Sequence, residues 1–186
     1  MGVPPHRGAG SGESGSAAVE FGIVAPFMLL VLVAATDLSG MLYTGFRLDA
    51  TVSAAAQFAI VNPDKVNSTS GRDLADKLSK ILTNGTDASA LTARVTVNNG
   101  PIVSSSNGTV SSSGSDAQAD SCYCPSRGSD GITWGASVSC GASCSGGTPA
   151  GKYVVLTVTK PYVSLFSSWG LVPRDGIAAR AVVQVQ

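Results

Sequence analysis

The sequence predicts an α+β protein, with one long N-terminal helix, half membrane-spanning and half amphipathic, packed on a small antiparallel β-sheet. Three observations predict it. Ala17 to Thr36 is a run of 20 apolar or small residues broken only by Glu20. An apolar stripe at three- and four-residue steps continues from it to Ile60. Two later segments alternate apolar and polar residues with a period of two, and a third is rich in β-branched residues.

At about 1.5 Å per residue the apolar run spans ~30 Å, the thickness of a bilayer core. It reads as an anchor, a secretory signal cut near Val33-Ala34-Ala35, or a buried core helix. The run is apolar on all sides, and the remaining chain is too small and polar to wrap it. A secretory signal needs a positive n-region, and here Arg7 stands against Glu13. The anchor reading leaves Glu20 to be explained. A carboxylate at mid-membrane costs about 2–3 kcal/mol on insertion scales. At headgroup level it favours the helix N-terminus instead. Alternatively it meets a cation. A cut between Gly15 and Ser16 creates a free α-amine at Ser16, and Glu20 becomes the fifth residue of the new chain.

The stretch Gly15-Ser16-Ala17-Ala18-Val19-Glu20-Phe21 resembles the G-x-x-x-x-E-F processing motif of type IV pilin-like proteins. AAVEFGIVAPFMLLVLVAATDLSGMLY is similar to the start of the TadE-like family, minor pseudopilins of the tight-adherence (Flp) pilus system, with Pro26 and Asp37 in the family's places. The resemblance implies a pilin-like plan: leader 1–15, transmembrane helix 16–36, amphipathic extension 37–61 and an extracytoplasmic α+β domain 62–186. It implies cleavage after Gly15 by a prepilin peptidase, with Glu20 and Phe21 as subunit-contact residues. The implied partners are other pilin or pseudopilin subunits, that peptidase and the lipid bilayer. The implied location is the bacterial cytoplasmic membrane, single-pass, or a surface pilus. The sequence departs from such leaders at Glu13-Ser14-Gly15, where basic residues are usual. The alternative is an anchored or secreted extracytoplasmic binding or adhesion domain outside any filament.

Beyond the membrane run, Leu38, Met41, Leu42, Gly45, Leu48, Val52, Ala56, Ala59 and Ile60 continue the helix, which ends before Asn62-Pro63. Ser70, with Asp73 three residues on, opens a second helix. Its apolar face is Leu74, Leu78, Ile81 and Leu82, and Asn84-Gly85 closes it. Ala93, Val95 and Val97 mark a first strand, turned at Asn99-Gly100. Tyr153 to Thr159 forms a second, closed by Pro161, and Ile177 to Val185 a third with one inward face. Ser104 to Pro149 reads as a long polar loop, and Tyr162, Phe166 and Trp169 as a cap over the core or a surface patch.

Cys122, Cys124, Cys140 and Cys144 all lie in that loop. In an exported chain they read as two disulfides rather than a metal site. A ring between Cys122 and Cys124 is strained, so the bonds join one pair to the other. Cys122–Cys140 with Cys124–Cys144, or the other cross-pairing, remain open. Each closes a loop of roughly 20 residues, worth about 3 kcal/mol in the chain-entropy model. The C-x-C-P element, the later cysteine pair and YVVLTVTKPYVSLF also resemble TadE-like C-terminal halves.

The composition excludes several functions. Net charge is zero, which disfavours nucleic acid. His6 is the only histidine, so no Ser-His-Asp set exists, and the chain reads as a non-enzyme without cofactor, metal or small-molecule substrate. GGTPAGK at Gly146–Lys152 imitates a phosphate loop, but Tyr153 replaces the needed hydroxyl residue and a strand follows. A Ser–Lys pair using Lys152 or Lys160 has nothing to mark it. Asn67, Asn84 and Asn107 stand in N-x-T sequons, which matter only in a glycosylating host.

Overall fold

The protein is described here by a computed structural model covering residues 13–84, 90–128, 132–164 and 176–186. Most of the leader, the expected stop at Gly85, and Phe166 and Trp169 lie outside the described residues. Two compact units, Met1–Gly40 and Met41–Gln186, divide the chain.

Helix α1 runs unbroken for 48 residues, Glu13–Ile60, and contributes to both units. In the first unit its apolar side chains are exposed. Phe21, Phe27 and Leu29 each keep more than 60% of their surface open, and this stretch is long and apolar enough to cross a membrane. Pro26 lies inside it without ending it.

In the second unit the same helix shows a narrow buried stripe of Leu48, Val52, Ala55, Ala56 and Ala59. The expected stripe is therefore right at its centre, while Leu38, Leu42 and Ile60 at its margins are exposed. Helix α2, Gly71–Asn84, adds Leu74, Leu78 and Leu82, each fully buried. Burying a leucine contributes about 1.5–3 kcal/mol. Both helices share one core with the inward face of the sheet: Ala93, Val95, Val97, Val154, Leu156 and Val158.

The sheet is antiparallel and five-stranded, in the order β3-β2-β1-β6-β7. Its strands are β1 Thr92–Val97, β2 Ile102–Ser106, β3 Thr109–Ser113, β6 Tyr153–Lys160 and β7 Ile177–Gln184. A small second sheet pairs β4 Cys122–Tyr123 with β5 Ser137–Val138. The three expected strands are present, but the segment read as a loop from Ser104 is not one throughout. β2 and β3 occupy its beginning. Their hairpin turns at Asn107-Gly108, where both residues have positive φ (50° and 79°). That is the left-handed pair a two-residue hairpin requires. Val103 and Ser105 face the core from β2, while every residue of the edge strand β3 is exposed. Serine suits such an edge because main-chain pairing, not side-chain packing, holds it there. The turn after β1 is also displaced by one residue from expectation. Asn98 and Asn99 adopt the left-handed conformation, and Gly100 N–H closes back on Val97 O at 2.9 Å.

The link between the helices and the first turn of α2 are held at four points. Asn67 Oδ1 accepts the N–H groups of Thr69 and Ser70, so Asn67 supplies the side-chain acceptor expected of Ser70. Lys152 Nζ donates to Val66 O at 2.9 Å, which gives that lysine a structural role. Ser68 N–H donates to Asp120 Oδ1 at 2.8 Å, and Arg72 makes a two-point ion pair with Asp116. The Ser68 hydrogen bonds, side-chain first and then backbone, hold the Asp120 carboxyl below its ordinary pKa, and Lys152 adds to the effect.

A depressed carboxyl pKa adds stability above the unfolded value and loses it as pH falls through the folded one. Stability is therefore expected to decline below about pH 4. Asp120→Asn should flatten that decline in urea titrations at a series of pH values. An unchanged acid limb in the variant would show that Asp120 does not contribute to it.

Candidate subunit-contact helix and cystine module

Gly15 and Ser16 lie in the first turns of α1, and both are exposed. Glu20 stands four residues beyond Ser16, so the two share one face of the helix, one turn apart. Glu20 is exposed and is the only ionisable side chain from Gly15 to Thr36. Phe21, beside it, is 73% exposed. These positions therefore form one contiguous apolar surface carrying a single acid. Further along, Arg47 stacks over the Tyr43 ring at 5.7 Å on the part of α1 within the second unit.

The cysteines form Cys122–Cys140 and Cys124–Cys144, with Cα separations of 5.0 and 5.5 Å. The first of the two open pairings is the one present. The local ladder accounts for it. Cys122 sits opposite Val138, so Cys140, two residues on, falls on the same side of the β5 strand direction. Sequence alone could not supply that register, because two-residue strands leave no periodicity to read.

A buried asparagine joins this cystine module to the large sheet. Asn98 has no solvent exposure. Its Nδ2 donates to Ala119 O (3.0 Å) and Ser121 O, and its Oδ1 accepts Tyr153 N–H (3.1 Å). All three bonds satisfy main-chain groups that burial would otherwise strand. Asn98 was not among the sequence-derived site residues. The Asn98-Asn99-Gly100 turn chemistry was the available signal, read one residue late. Tyr123 adds a second attachment by exchanging main-chain hydrogen bonds with Gly151. Its ring meets Trp134 edge to face, with centroids 5.5 Å apart.

Residues 15–61 match a family model described as TadE-like protein. The match spans nearly all of α1 and stops one residue past its end. No curated protein and no solved structure matches the chain.

Asn98→Ala removes three hydrogen bonds at a buried site, and is expected to cost about 2–4 kcal/mol in urea unfolding. Replacing Cys124 and Cys144 together by serine should cost about 3 kcal/mol, with far-UV circular dichroism preserved because neither helix depends on that bond. A cystine variant as stable as the wild type would show that the module is not held by its covalent links.

Proposed function

We propose that the protein is a minor pilin-type subunit of a tight-adherence pilus, trimmed after Gly15 and held in the cytoplasmic membrane by residues 16–36 until it joins an assembly. One observation carries the reading. A continuous helix matching the TadE-like family presents a membrane-length apolar surface with Glu20 as its sole ionisable group.

The chemistry follows from that surface. In hydrocarbon, a lone carboxylate is costly. Cleavage after Gly15 converts the Ser16 amide into an ammonium, a cation absent from the precursor. Glu20 then pairs with the Ser16 amine of a neighbouring chain. A subunit out of register would bury both charges unpaired, so the ion pair selects one stagger between neighbouring helices. Apolar contact between helices, including Phe21, supplies lateral packing without itself choosing a register. The disulfides of the distal unit support an extracytoplasmic location for it.

N-terminal sequencing of the membrane-extracted protein is expected to begin at Ser16. A start at Met1 or Thr36 would contradict the proposal. Removing one partner of a buried pair costs about 3–5 kcal/mol. Glu20→Ala should therefore lower the protein's share in sheared filaments at least about tenfold, with the distal unit still folded and disulfide-bonded. Normal incorporation of the Ala variant would remove Glu20 from the mechanism.

A further inference from the structure

The face of the large sheet turned away from the helices carries an arrangement unrelated to membrane anchoring. Arg94 on β1 is in register with Thr157 on β6, and Thr157 is in register with Arg180 on β7. Three neighbouring strands therefore place two arginines on one face with a threonine between them. Strands lie about 4.8 Å apart, so the arginine backbones stand ~10 Å from each other. Arg94 and Arg180 are both exposed, and neither guanidinium has an ion pair or hydrogen bond among the described residues.

These groups line a recess of about 510 Å³, within the usual range of roughly 300–1,000 Å³ for small-ligand clefts. Trp134 from the cystine module forms an aromatic wall, and Asn99 and Thr157 add neutral hydrogen-bonding groups. Arg127 lines an adjoining recess that shares Arg180. No carboxylate lines either recess among the described residues. A guanidinium without a partner presents a fork matched to a carboxylate. The indole offers a flat, weakly polar surface whose position is supported by Tyr123 and by the nearby disulfides.

We propose that this recess binds an acidic oligosaccharide of the uronate type. The observations favour that class by complementarity. Paired guanidiniums take the carboxylates, Trp134 takes a sugar face, and Asn99 and Thr157 take hydroxyl groups. A simple anion would leave the indole wall unused, and a neutral sugar would leave the arginines unpaired. The site is built within the Met41–Gln186 unit, so it does not depend on leader cleavage or filament entry.

The test uses the full chain in detergent micelles, titrated with galacturonate oligosaccharides by calorimetry. Saturable binding that weakens with added salt is expected. Arg94→Gln and Arg180→Gln should each weaken it about tenfold, the equivalent of one charge-assisted hydrogen bond. Trp134→Phe should weaken it less, and Lys77→Gln, an exposed cation on α2, should leave it unchanged. Near-wild-type urea midpoints for the arginine variants would tie their losses to the ligand rather than to folding. Failure to bind, equal affinity for a neutral galactose oligosaccharide, or equal affinity for a poly-glutamate peptide would overturn the proposal. So would full competition by millimolar inorganic phosphate, or unaltered affinity in the double arginine variant.

Discussion

The distal unit depends on one shared apolar core, built by both helices and the inward face of the sheet. The face that α1 turns inward is made of Ala55, Ala56 and Ala59, with Val52 and Leu48 above them. These small side chains enter the same apolar core as the inward valines and leucines of the sheet, so this stripe of α1 is committed to its own chain. α2 lies against β1 and β2 and supplies larger side chains. Its long leucines, Leu74, Leu78 and Leu82, reach the same core. Interiors are packed to crystal-like density, so a bulkier residue in the alanine row has to displace either the helix or the strands. That constraint fixes which face of α1 is committed to its own chain and which stays open for other contacts.

The same helix carries two kinds of surface. Up to Gly40 its surface is apolar and exposed; from Met41 it is a half-buried element of a globular unit. The sequence reports this change through composition. Charged residues are almost absent before Asp37 and recur after it at Arg47 and Asp49. No break in the backbone is needed, because helix hydrogen bonding is satisfied internally in either environment.

Much of this was legible beforehand. The second helix, the latter half of the long helix and two of the strands follow from periodicity, because each buries one face; the strand from Tyr153 follows from its β-branched residues. The membrane-length apolar run with its single acid is legible from composition alone. What escaped were elements held by main-chain geometry. β3 has no buried side chain, so its serines carry no alternation to read, and only Asn107-Gly108 signals the hairpin. The cystine pairing depends on a two-residue ladder. Asn98 looks like an ordinary turn residue until the loop it clasps is known. The arginine row across β1, β6 and β7 depends on registers that pair residues about 60 and about 20 positions apart in sequence, and composition is silent about that.

The hairpin tip at Asn107-Gly108 has a practical corollary. Both residues are exposed, and a side chain added at Gly108 would meet no other atom within 4 Å. Loop tips of this kind accommodate extra residues because no packed contact crosses them. A short epitope spliced between Asn107 and Gly108 would stay clear of the helix–sheet core, the cystines and the arginine face alike. Antibody labelling at that point could then locate the polypeptide on intact cells, with its N-terminal portion left in native form.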